Sequence, residues 1–194
     1  MENKIVFVDI ETGGPDFKRH PIVQLAAIAA NAKGAPVEAF EAKLKFQPRS
    51  ANAYSLRKSR YHPGLWANVA REGKEVAKDF GRFLKRHATS PATSASGKLF
   101  YVAQLVAHNA AYDAPFLAAW HERLGLFLPA SRLVLCTMQL AMWKAVSSGI
   151  APPNFQLATL CQHYGVPYHA ASAHDALGDV TATLQLYHAM RRGR

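Results

Sequence analysis

Asp9 and Glu11 are separated by a single residue in Ile5-Val-Phe-Val-Asp9-Ile-Glu11, an otherwise apolar, β-branched run that reads as a buried strand. Side chains two apart on a strand leave the same face, so both carboxylates project together from its end. Ionised carboxylates in contact repel and burial adds to the cost, so either a cation sits between them or the strand end opens to solvent. Further groups can join them. Asp113 follows a second apolar run ending in Val106-Ala-His-Asn109, where it serves as a metal ligand or as a helix N-cap. Asp179 lies one turn into a last helical segment whose natural N-cap is Asp175, which leaves Asp179 without a capping role. His174 stands five residues earlier, about 500° of helix rotation, so it faces the same site only if it precedes the helix. Oxygen ligands of this kind suit Mg²⁺ or Mn²⁺ rather than zinc, because hard divalent ions take carboxylates and keep several waters.

The elements that must position these groups follow from periodicity. Residues 5–10, 22–30 and 37–46 read as three strands joined by short Pro- or Gly-containing connections, an antiparallel meander. Between 68 and 87, Val69, Val76, Phe80, Phe83 and Leu84 recur at helical spacing with Arg82, Lys85 and Arg86 near the opposite side, which predicts a basic amphipathic helix. Residues 88–97 lack a periodic apolar face, and the segment at about 88–98 reads as a mobile loop inside the domain. A buried strand over 99–107, a helix over 114–124 opened by Asp113 and Pro115, and a short strand at 133–136 come next. Helical patterns over 137–146, 156–164 and 176–190 complete the chain. A meander followed by α/β crossovers makes a mixed sheet of five strands flanked by helices, an α/β architecture in one domain of 194 residues.

Composition narrows the class. At 49% hydrophobic residues the chain has material for a sizeable core. No apolar run reaches the roughly 18 residues of a membrane span, and the first apolar stretch is cut by Asp9 too early for a signal peptide, so a cytoplasmic protein without a membrane partner is expected. Cys136 and Cys161 are too few for a disulfide framework. The net charge is +10, with 12 basic and 3 acidic residues in 43–86 and 3 basic residues in the last four positions. Such a segment is either a solubilising face or a surface that tracks a phosphate backbone. The stretch at about 49–86, read as a basic insertion, mixes these cations with Tyr54, Tyr61 and Trp66, as single-strand grooves do; alternatively the aromatics are core residues of the insertion.

Asp9-Ile-Glu11-Thr12, His108-Asn109-Ala-Ala-Tyr112-Asp113 and His174-Asp-Ala-Leu-Gly-Asp179 resemble, in order, the three motifs of the DEDDh (DnaQ-like) 3′–5′ exonucleases. Tyr101-Val-Ala, Val106-Ala-His-Asn-Ala110 and Cys136-Thr-Met138 look particularly like the stand-alone bacterial DNA exonucleases of the exonuclease X type. The resemblance implies a ribonuclease H-like fold. It also implies that Asp9, Glu11, Asp113 and Asp179 ligate two divalent cations, Mg²⁺ or Mn²⁺, with Asp9 as the bridge, and that His174 is the general base. The implied reaction is hydrolysis at the 3′ end of DNA, single-stranded or frayed, releasing nucleoside 5′-monophosphates. A 3′–5′ exoribonuclease and a proofreading or adaptor subunit of a DNA-processing assembly are the alternatives, and several relatives form homodimers.

By the same resemblance Thr12 and the backbone at Gly13 contact the terminal 3′ hydroxyl, while His108, Asn109 and Tyr112 shape the pocket of the terminal nucleotide. Many family members follow Glu-Thr with Thr-Gly and a bulky apolar wedge, whereas here Gly13-Gly14-Pro15 follows, which makes Phe17 the candidate to separate the last bases, against ordinary loop packing. Arg57, Lys58 and Arg60 are the candidates to hold phosphates away from the scissile bond.

Overall fold

The computed structural model describes residues 3–169 and 173–192. Strand β1 (Ile5–Thr12) lies at the centre of a sheet ordered β3-β2-β1-β6-β7. β2 (Ile22–Ala30) and β3 (Pro36–Lys43) pair antiparallel outward from it, and β6 (Gln104–Ala107) and β7 (Leu135–Cys136) pair parallel on the other side. This is the expected mixed sheet, three meandering strands followed by crossovers.

Every residue of β2 is buried, so both faces of the sheet are covered. On one face Val6, Val8 and Ile10 meet α3 (Gly73–Arg86) and α4 (Ala110–Arg123) through Val76, Phe80, Phe83, Phe116 and Leu117. On the other, Phe7, Ala26 and Val106 meet α7 (Ala176–Arg192) through Ala176, Val180 and Leu184. Strand alternation then decides the site: Phe7 faces α7, so Asp9 and Glu11 share that face, toward which α7 carries Asp179. α5 (Thr137–Ser148) and α6 (Leu157–His163) close a further core around Ala141, Leu160, Leu186 and Met190.

Several expectations are corrected. The segment at 88–98 is not without structure: β4 (Ser90–Thr93) pairs with β5 (Leu99–Val102) around a tight turn. The Ser94 carbonyl accepts from the Gly97 N–H, the Ser94 N–H donates to the Lys98 carbonyl, and Gly97 takes a positive φ of 80°, so turn chemistry builds a hairpin where apolar periodicity is missing. The strand read over 99–107 is two strands in different sheets, broken at Ala103, whose N–H donates to the Pro129 carbonyl (3.0 Å). The helix read over 68–87 divides into α2 (Pro63–Val69) and α3, because Arg71 bonds Lys43 and Lys45 across the break. α3 forms a wall of the core, and Arg71, Arg82 and Arg86 are taken up by Asp79 and Glu38. α4 starts at Ala110, which places Asp113 inside its first turn and not at its N-cap; Asn109, at φ 63°, is the cap.

Candidate active site

The C-terminal end of β1 opens into a cleft of about 1030 Å³ lined by Asp9, Glu11, Asp113, His174 and Asp179. The five catalytic candidates thus converge from β1, α4 and the turn into α7. Asp113 is 3% and Asp179 8% exposed, whereas Asp9, Glu11 and His174 are half-buried. Burial, reinforced by Asp113, Asp179 and Glu11, raises the Asp9 carboxyl well above the ordinary range. Burial with the Asp179 charge pushes Glu11 up to about 8, partly offset by Lys58. Asp113 is likewise pushed up to about 8 by burial, against hydrogen bonds from its own N–H and that of Ile10. Asp179 is raised by burial, while the Tyr168 hydroxyl donating to its Oδ1 (2.7 Å) and the His174 N–H to its Oδ2 (3.3 Å) oppose the shift.

Glu11 and Asp113 keep protons at neutral pH unless positive charge enters, and the donors fit it. One ligand atom each from Glu11, His174 and Asp179 lies within 4.8 Å of the others, and the set is dominated by hard oxygens that suit divalent cations. Asp9 and Asp113 stand beside this trio as the neighbouring carboxylates. His174 precedes α7 with φ 60°, the position that sharing a site with Asp179 requires. Desolvation, then the charges of Lys58 and Arg60, lower its pKa, and Asp179 partly restores it, so the imidazole is neutral at pH 7. Asp175 caps α7, its Oδ2 accepting from Gly178 N–H (3.3 Å) and its Oδ1 from Gln24 Nε2 (2.8 Å).

The other predicted site residues separate. Thr12, Asn109 and Tyr112 line the cleft. The Thr12 and Tyr112 hydroxyls are 2.5 Å apart and both reach the Gly14 carbonyl, which fixes the loop after Glu11. Gly13 does not line the cleft. Its N–H donates to Pro21 (2.9 Å) and its carbonyl accepts from Asn52 (2.8 Å). A Cβ there would sit 2.6 Å from that of Ala51, so this glycine lets α1 (Ala53–Lys58) dock against β1. His108 lines the cleft, yet both ring nitrogens are engaged, Nδ1 with Thr137 Oγ1 (2.9 Å) and Nε2 with the Phe155 carbonyl (3.1 Å). It braces the cleft wall more than it meets substrate.

Phe17 lies outside the cleft lining, edge-on to Phe116 (6.3 Å), because the turn closed by His20 N–H on the Asp16 carbonyl carries it away. An aromatic on α1, Tyr54, lines the cleft and is 69% exposed. Trp66 is a core residue, and Tyr61, half-buried, packs edge-on against it with ring centres 5.2 Å apart. Lys58 corrects the expectation that it works far from the chemistry: it lines the cleft and its charge acts on Glu11 and His174. Arg60 also acts on His174, and Arg57 is exposed outside the cleft lining. Sequence reasoning missed Tyr168, which sits in a loop without any motif, and Phe155, Gln156 and Leu157, which also line the cleft.

A ribonuclease H-like sheet that gathers four carboxylates and a histidine at the end of its central strand defines a nuclease-type hydrolase of the DEDD class. Residues 6–187 match the RNase T family model, described as exonuclease, and the chain belongs to this DnaQ-like family. It is 40% identical over 86 residues to a Mycobacterium tuberculosis (strain CDC 1551 / Oshkosh) protein named "Putative bifunctional exonuclease/endonuclease protein MT2247", a stretch covering 44% of this chain and 13% of that one. Among solved structures it is similar to E. coli Exonuclease I in complex with a dT13 oligonucleotide (TM-score 0.75, 17% identity, covering 98% of this chain and 41% of that one). It is equally similar to the zinc-bound E. coli ExoI–ssDNA complex (TM-score 0.76, 18% identity, 100% and 42%). The chain spans less than half the length of these solved proteins and 13% of the mycobacterial one, and at such structural identities the likeness is one of fold.

Proposed function

We propose that this chain is a 3′–5′ exonuclease of the exonuclease X type that removes nucleoside 5′-monophosphates from single-stranded or frayed 3′ ends of DNA. The observation that carries the reading is the convergence of Asp9, Glu11, Asp113 and Asp179 with a neutral His174 in one open cleft. The binding of dT13 by E. coli Exonuclease I supports DNA as the polymer, as do the exonuclease X-like stretches around Tyr101 and Val106.

The four carboxylates would hold two divalent cations, Mg²⁺ or Mn²⁺, which when bound supply Lewis-acid polarisation of the scissile phosphate and charge to stabilise the departing 3′ oxygen. The carboxylates release their protons as positive charge arrives, which makes binding pH-dependent. Asp113 is fixed by two backbone N–H donors and Asp179 by Tyr168 and His174, so little reorganisation is required of them. A ring nitrogen of His174 accepts the proton of the attacking water; its lowered pKa keeps it available at neutral pH. Thr12, Asn109 and Tyr112 shape the pocket for the terminal nucleotide, and Lys58 offers an ammonium to its phosphate.

The test compares 5′-labelled DNA and RNA oligonucleotides with Mg²⁺, Mn²⁺ or EDTA, using wild type beside Asp9→Ala and His174→Ala. The expected result is a metal-dependent ladder shortening from the 3′ end, faster on DNA and reduced by orders of magnitude in Asp9→Ala. His174→Ala should lower the chemical rate with metal affinity largely kept; loss of affinity equal to that of Asp9→Ala reassigns His174 as a ligand. Faster cleavage of RNA selects the exoribonuclease, and tight binding of either polymer without cleavage selects an adaptor.

A further inference from the structure

A second basic feature lies away from the cleft. A cavity of about 670 Å³ at the C-terminal end of α7 is lined by Lys33 from the β2–β3 connection, by His188, Arg191 and Arg192 from α7, and, among the described residues, by no carboxylate. Cations in a last helical turn ordinarily offset the helix dipole, which accounts for the two arginines. It does not account for Lys33, which arrives from another element into a site where no described residue is acidic. Among the described residues no ion pair engages Lys33, Arg191 or Arg192; Arg191 lies over the Tyr187 ring at 5.4 Å.

The arrangement is built rather than incidental. His188 Nε2 is 2.8 Å from the Gly34 carbonyl, which fastens the β2–β3 connection to α7 and holds Lys33 beside the arginines. Gly34 has φ 85°, and a Cβ on it would lie 2.1 Å from the His188 ring, so a glycine is what allows the contact. One chain segment links the cavity to the cleft. Tyr164 to Pro167 line the cavity, and the next residue, Tyr168, lines the cleft and bonds Asp179. Four residue steps span at most about 14 Å, and twelve residues of α7 between Asp179 and Arg191 span about 18 Å.

We propose that this cavity binds backbone phosphates of the same polynucleotide strand upstream of the 3′ end held in the cleft. The inference rests on the exonuclease reading. Two guanidinium forks and an ammonium match phosphodiester oxygens and read no base, so the contact is independent of sequence and strengthens with substrate length. The strand would run beside the 164–168 segment, anchored at both ends of α7.

The test is steady-state kinetics of wild type and a Lys33→Gln/Arg191→Gln/Arg192→Gln variant on a trinucleotide and on an oligonucleotide of about 20 residues, over a range of salt. For the long substrate the variant should show a KM raised tenfold or more, and its salt dependence should flatten by about 2 in log–log slope, about 0.7 per lost phosphate contact. Its kcat on both substrates, and KM on the trinucleotide, should match wild type. Arg192→Gln alone, at an exposed position, should give a smaller rise of the same kind and guards against a folding defect in the triple variant. An unchanged KM for the long substrate, or an equal rise for both lengths, overturns the proposal. A wild type that degrades neither length refutes the exonuclease reading itself.

Discussion

Replacing Asp113 by Asn separates a carboxylate that stabilises the fold from one held in place for a cation. Asp113 is buried and its carboxyl is pushed from 3.8 up to about 8. Below pH 4 it is protonated in both folded and unfolded states and contributes no pH dependence. As pH rises through 4 the unfolded carboxyl ionises while the folded one keeps its proton, so metal-free wild type loses stability until the folded group ionises near pH 8. A shift of about 4 units has a ceiling of about 6 kcal/mol. Asn stays neutral and retains an oxygen for the N–H of Ile10, so in EDTA at pH 8 the variant should be the more stable of the two, by no more than that ceiling, with each 1 kcal/mol worth about 2–4 °C in Tm for a chain of this size. The gap should close toward pH 4. Added Mn²⁺ should raise the Tm of wild type strongly at pH 8 and that of the variant much less, while the variant's cleavage falls by orders of magnitude. Thermal melts from pH 4.5 to 8.5, with EDTA and with Mn²⁺, measure all of this. A variant less stable than wild type in EDTA at pH 8 would refute the reasoning, because the carboxylate would then be a structural anchor.

The remaining predictions concern α1 and the loop that follows β1. Lys58 lowers the His174 pKa, so Lys58→Gln should move the acidic limb of the kcat/KM pH profile upward while Arg57→Gln leaves it in place; a limb that stays or moves down removes Lys58 from the site. Tyr54→Ala should weaken single-strand binding by about 1–3 kcal/mol, the usual worth of stacking on one base, measured as KM on short oligonucleotides. Phe17→Ala should change KM less than about twofold, since its ring packs on Phe116 outside the cleft; an effect as large as that of Tyr54→Ala returns the base-separating role to Phe17.

What could be read from residue types alone has a physical boundary. Asp9 and Glu11 were legible because strand alternation is local and because two acids in an apolar run are costly enough to demand a reason. Asp179 was legible by elimination, since Asp175 takes the cap, and the placement of His174 before α7 followed from helix rotation. The central sheet followed from three apolar runs whose connections were too short for anything but antiparallel pairing. The errors share a different origin. The 90–102 hairpin depends on turn hydrogen bonds at Ser94, and the split at Arg71 on a bridge to a distant strand; neither leaves an apolar period. Tyr168, His108 and Gly13 each do their work through one or two long-range partners, Asp179, Phe155 and Ala51, and a contact between residues far apart in the chain leaves no trace in spacing. Aromatics in the basic segment could be assigned to groove or core only once Gly13 was seen to dock α1 against β1, which turns Tyr54 toward the cleft while Trp66 donates its indole N–H to Val23 inside the core. Carboxylates that must be neutralised announce themselves in the sequence, whereas the side chains that aim them depend on the geometry of the folded chain.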